Sequence, residues 1–166
     1  MSTSFINLFS ESGAFCSSVA CKGYAASELQ MIGRLYNINI DGQLELFLSE
    51  VGRSDGGVMG DSSIPLYRPS WRVRQHLLFQ IGFFNDMQEA GHFGYLNKPF
   101  VFAWISETQY YFVQTSGVVI DKVYHFDSNT DIVRETEWDL IAFIKKIVDW
   151  EAKEPKVCAS SDLLKI

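Results

Sequence analysis

The chain has 166 residues, of which 47% are hydrophobic and 20% charged, with a formal net charge of -6. That length predicts one domain with a self-sufficient core, and the acidity argues against nucleic acid as a direct ligand, because phosphate binding needs a basic footprint. No apolar run reaches the roughly 18 residues that a membrane span needs, and no basic residue precedes Lys22 to make a signal peptide, so a cytoplasmic protein is expected. The acidity is compatible with a basic protein partner, and plain solubility is the simpler account of it. Aromatics make up 14% of the chain, a high share of which the core should take most and interface anchors a few. Three cysteines (Cys16, Cys21 and Cys158) with no CxxC pair imply reduced thiols rather than a disulfide framework or a zinc site.

Residues 1–24 read as an N-terminal extension, in which Phe5, Ile6, Leu8 and Phe9 form a short strand or a docking arm. Ser27 reads as the N-cap of a helix over Glu28 to Tyr36, with Leu29, Ile32 and Tyr36 on one side. Asp41 then opens a second helix whose Leu44, Phe47, Leu48 and Val51 make one apolar face. Gly52 stops it, and Ser54-Asp55-Gly56-Gly57 is a turn whose glycines permit positive φ. A loop leads to a short strand at Ile64 to Tyr67, and Pro69 breaks the chain. The spacing predicts a helix from Trp71 to Glu89, buried through Val73, Leu77, Leu78, Ile81 and Phe84, with a kink at Gly82 and a C-cap at Gly91.

Phe100 to Ile105 and Tyr110 to Thr115 are β-branched and aromatic runs joined by the four residues Ser106 to Gln109, a hairpin. Val118 to Phe126 adds a third strand, ended by the Asp127-Ser128-Asn129 turn, and Phe93 to Leu96 is a candidate for one more. Together they read as an antiparallel meander. Thr136, with Glu137 and Asp139 in the first turn, opens a last helix. Leu140, Ile141, Phe143, Ile144, Ile147, Val148 and Trp150 are its apolar side, and Lys145 and Lys146 its wet side. Pro155 ends the pattern, and residues 153–166 read as a frayed tail.

No phosphate-binding, metalloprotease or serine-hydrolase motif occurs. His76, His92 and His125 are scattered and read as ordinary surface or strand histidines, and no cysteine is locally activated. Asp127-Ser128-Asn129-Thr130-Asp131 begins like a calcium loop, but Ile132 and Trp138 occupy the positions that need Gly and Glu. No metal or cofactor is expected. Two charge features remain. Arg68, Arg72 and Arg74 cluster, with Arg53 possible beside them, as a solvated helix edge or as an anchor for an acidic group. From Asp127 to Asp139 five acids (Asp127, Asp131, Glu135, Glu137 and Asp139) face one base, Arg134. A turn followed by a helix N-terminus accounts for that excess, and so does a surface that meets a basic protein.

The order of features resembles a known family. Ile32-Gly33 ends a first helix, Ile40 precedes the second, and Phe47-Leu48 sits on it. Asp55-Gly56-Gly57 stands where an Asn-Gly-Gly turn is expected. Phe102-Ala103-Trp104, Tyr110-Tyr111-Phe112 and Val123 to Asp127 follow as strands, then a closing helix. This is similar to the SUKH superfamily of fungal cell-wall-synthesis regulators and bacterial toxin-immunity proteins. Asp41 and Leu44 depart from the Pro and Tyr of that pattern. The resemblance implies an α+β fold, an antiparallel meander packed against several helices, over one domain of residues 1–166. It also implies a non-enzymatic immunity protein that blocks the C-terminal domain of a cognate toxin, with a basic nuclease the favoured target. Trp71, Arg72, Asp127, Asp131 and Glu135 are the candidate partner-binding residues. The alternatives are an intracellular scaffold or regulatory module of the same family, and an enzyme built around His76 or His92.

Overall fold

Leu44, Phe47, Leu48 and Val51 are all buried on one side of a ten-residue helix, and the rest of the chain is laid around that side. The computed structural model describes residues 4–11, 21–60, 62–151 and 158–166. Cys16 and Pro155 lie outside them. The first half holds α1 (Phe5–Ser10), β1 (Cys21–Lys22), α2 (Ala26–Leu35), α3 (Gly42–Val51) and β2 (Ser54–Asp55). The second half holds α4 (Val73–Glu89), β3 (Pro99–Ile105), β4 (Gln109–Gln114), β5 (Lys122–Asp127), β6 (Ile132–Asp139) and α5 (Leu140–Glu151).

Asp41 precedes α3 as expected, but its side chain makes no capping bond. Asp121, far along the chain, accepts from the Gln43 N–H at 3.0 Å instead. Gly42 makes this approach possible: its φ is +58°, and a Cβ there would stand 2.7 Å from Asp121 Oδ1. After α3 the turn forms with Gly56 and Gly57 at φ 80° and 88°. The Asp55 carboxylate, 1% exposed, accepts from the N–H groups of Gly57, Val58 and Met59 at 3.0, 3.1 and 2.9 Å. Burial pushes its pKa up, and the three donors pull it back.

The main sheet is an antiparallel meander in the order β3-β4-β5-β6. Register puts Tyr110, Phe112, Tyr124 and Phe126 on one face, where Phe83 of α4 meets Tyr110, Phe112 and Phe126. Phe100, Phe102, Ala103, Val113 and Val123 belong to the other core, with α1, α2, α3 and α5. The fold is therefore α+β, a four-stranded sheet between one helix and several.

Several elements differ from the sequence expectation. Ile132–Asp139 is strand β6, and α5 begins only at Leu140, so the acids of 135–139 do not lie in a helical first turn. Asp139 alone keeps a capping role, accepting from the Ala142 N–H at 2.8 Å. Residues 5–10 are a helix, because the Glu50 carboxylate takes the N–H of Phe5 and Ile6 and Phe5 packs on Phe47. Helix α2 starts at Ala26, with Glu28 reaching back to the Ala25 N–H at 2.8 Å, so Ser27 is not the cap. Pro65–Tyr67 and Phe93–Tyr95 are 3-10 turns, not strands. The first hairpin loop is Ser106 to Thr108, since Gln109 already pairs with Ile105.

The buried side of α4 is rotated from expectation. His76, Phe83 and Met87 are buried, whereas Leu78 and Ile81 are 58% and 51% exposed. Trp150 of α5 is also exposed. The described part of the tail is not frayed. Ala159 and Leu163 are buried, Tyr36 Oη donates to the Leu163 carbonyl, and Leu163 N–H donates to Tyr24 Oη. Val73 N–H donates to the Lys165 carbonyl, so the tail also pins the start of α4.

Candidate partner-binding surface

Trp71 and Arg72 sit together just before α4. The Arg68 guanidinium lies 4.8 Å from the ring centres of both Trp71 and Trp104. Trp71 also meets His76 and Phe79, each at 5.3 Å between ring centres. This is a half-buried aromatic ladder holding a cation, a composition typical of interface anchors. Arg72 is exposed and reaches the Ile166 carbonyl at 3.3 Å. Arg53 is not part of this group. It lies over Tyr24 and bonds Glu28 at 2.8 Å and Asp162 at 3.3 Å, which holds the Glu28 carboxyl down at about 2.

Asp127, Asp131 and Glu135 lie on the β5–β6 hairpin. Asp131 takes φ 55° in the turn, and its carbonyl meets His92 Nε2 at 2.6 Å. Asp127 accepts from the Asn129 N–H at 2.8 Å, which lowers its pKa. Glu135 pairs with Lys122 at 3.3 Å. Because neighbouring residues on a strand point to opposite faces, register separates these acids. Glu135 stands opposite Tyr124 on the α4 face, whereas Asp127 follows Phe126 and belongs to the other face.

The five candidate residues thus form two groups. At about 1.5 Å per residue, the 17 residues of α4 run roughly 25 Å. Trp71 and Arg72 lie at its start. Asp131 lies beside His92, just past its end.

The acids mark a feature that the residue types alone did not disclose. Strand β6 is the last of the sheet, and among the described residues no strand pairs with its outer edge. The opposite edge is covered: Trp104 N–H donates to the Ser63 carbonyl, and the Gln80 amide bonds both backbone groups of Val101. Ile132 is exposed on β6 itself, exposed Val118 and Val119 line a groove with Glu137, Trp138 and Asp139 at its far end, and exposed Trp150 lines another with half-buried Trp138, which lies under Lys146. The alternation of Thr136 and Trp138 with Glu135, Glu137 and Asp139 was the available sign of a strand.

The three histidines do not converge. His76 is buried, 2% exposed, on Ser161 Oγ at 3.3 Å, which corrects its reading as a surface or strand residue. Burial pushes its pKa down to about 4. His125 stacks on Tyr111, and His92 meets Tyr95 and Phe126. A groove beside α2 is lined by Arg34, Asn37, Asn39 and Lys98 and by none of these histidines. Among the described residues no group of three His, Cys, Asp or Glu is placed to hold a metal ion. No described helix is long and apolar enough to cross a membrane.

No family model matches the chain, and none of the curated proteins or solved structures matches it.

Proposed function

We propose that this chain is a cytoplasmic immunity protein of the SUKH type, which binds the C-terminal domain of a cognate toxin and covers its active site. The observation that carries the reading is the acidic, unpaired rim made by β6 and its turn. Glu135, Glu137 and Asp131 stand there, on or beside a strand edge with which no described strand pairs. A nuclease presents a basic cleft to its polyanionic substrate, so a protein that displays carboxylates meets it with complementary charge. Such complementarity raises association rates by about 10- to 1,000-fold at low salt. Inhibition then needs only steric cover. A standard interface buries about 800 Å² on each partner, a patch roughly 30 Å across. That span reaches from the acidic hairpin to Trp71 and Arg72, which serve as the distal anchor. The order α2, α3, meander, α5 that carries the resemblance also supports this reading, with α4 standing as an addition between α3 and the meander.

The test is co-expression with the C-terminal domain of the adjacent upstream gene's product, chosen because an immunity gene sits beside the gene of its toxin. Growth is restored when the chain is present, and the two proteins co-purify. Continued toxicity with the chain well expressed overturns the proposal.

A further inference from the structure

Resting on that reading, we infer that the outer edge of β6 takes up an extended, basic strand of the partner, so that the sheet gains a fifth strand on binding. The edge of a sheet offers unpaired N–H and C=O groups on alternate residues, a template for main-chain pairing. Here the template is regular where it matters. Ile132, Val133, Arg134 and Glu135 pair in unbroken register with β5, which holds their backbones extended and straight. Beyond Glu135 the register shifts, and Thr136 Oγ1 turns inward to the Val123 carbonyl at 2.6 Å. The bulge therefore limits the usable edge to its first half, next to the Asp131 turn.

The occupant is fixed by charge. The hairpin from Asp127 to Asp139 carries five acids against Arg134 alone. A second copy would bring the same net-negative hairpin alongside, and the two hairpins would repel one another. A strand carrying Lys or Arg at alternate positions places a cation against Glu135 on the α4 face, with Asp131 and Glu137 flanking the straight stretch. Both faces of the edge carry apolar contact area too. Val133 packs with the Phe83 core, and Ile132 is exposed on the side of Asp127. The charges that keep this edge from pairing with itself are the ones that admit a basic strand.

The experiment is amide hydrogen exchange, residue by residue, on the full chain alone and with the toxin C-terminal domain encoded beside its gene. Alternate amides of Ile132 to Glu135 exchange rapidly in the free chain and slow at least tenfold in the complex. A proline pair sharpens the result. Of Arg134→Pro and Glu135→Pro, the one whose N–H points away from β5 keeps the parent's thermal stability and loses binding at least tenfold, because proline removes only an outward donor there. Three results overturn the inference: a complex whose β6 amides exchange as in the free chain, outward amides already protected in the free chain by a second copy or by the chain itself, and a folded outward-proline variant that binds as the parent does. The first and third leave the immunity reading standing, since binding occurs without strand addition. Absence of any complex overturns both.

Discussion

Replacing Asp55 tests how the α3 turn is held. Its carboxylate accepts from three backbone N–H groups at 2.9–3.1 Å in a site 1% exposed. Asp55→Ala leaves those donors without an acceptor, and each buried unsatisfied group costs about 1–3 kcal/mol. The sum is about 3–9 kcal/mol, reduced because the buried charge is removed as well, so a net loss of about 3–5 kcal/mol is expected. That is a large part of the roughly 5–15 kcal/mol by which domains are stable. Asp55→Asn keeps one carbonyl oxygen in place and should lose less, about 1–3 kcal/mol. The pH dependence has a definite sign. Burial raises the folded pKa above the ordinary 3.8, so the folded state binds the proton first. The parent therefore gains on the Asn variant as pH falls through the folded pKa towards the unfolded one, and loses that gain as pH rises again. Urea titrations followed by tryptophan fluorescence measure all of this, with the slope checked for constancy. An Ala variant within about 1 kcal/mol of the parent, or an Asn variant worse than Ala, refutes the reasoning.

Three further outcomes follow from the packing. His76 is depressed to about 4, so the unfolded chain takes the proton first, and stability falls as pH drops from about 6.5 towards 4 by up to about 1.4 kcal/mol per unit. His125 is depressed too and adds in the same direction, so the comparison is with His76→Gln. Between about pH 6.5 and 5 the parent should lose about 1.5 kcal/mol more than the variant in urea, and equal losses refute the assignment. In α4, Phe83→Ala should cost about 3–5 kcal/mol and Ile81→Ala under about 1, which a reversed order in thermal melts would contradict. Gly23→Ala drives a Cβ to 1.9 Å from the Ser49 carbonyl oxygen and should cost about 3 kcal/mol or more, whereas Gly82→Ala meets nothing within 4 Å and should gain about 0.5–1 kcal/mol.

The α3 helix, its glycine turn and strands β3 and β4 were legible in the sequence because local signals agreed with the fold, and β5 was legible except at its start, which is Lys122 rather than Val118. Four apolar positions at helical spacing, two adjacent glycines and long aromatic runs each admit few structures. What escaped was decided by tertiary contact. The acids of 135–139 suit a helix start on local grounds, but pairing with β5 and the inward bond of Thr136 makes them a strand. The cap of α3 comes from Asp121, which no local motif announces. The true face of α4 includes His76, a residue that hydropathy assigns to water, buried here on Trp71 and Ser161. The tail is ordered by two tyrosine hydroxyls from far upstream. The candidate residues were chosen by charge and aromatic character, which sequence displays. That they form two groups along α4, beside an open strand, is a property of topology.

The most direct measurement of the central claim is the association rate with the neighbouring toxin C-terminal domain, for the parent and for a variant carrying Asp131→Asn, Glu135→Gln and Glu137→Gln. The parent's rate should fall at least tenfold between low and high salt, while the variant starts near the high-salt value and changes little, because screening removes what the substitutions have already removed. A variant that associates as fast as the parent, with the same salt dependence, would contradict the assignment of the β5–β6 rim as the partner surface.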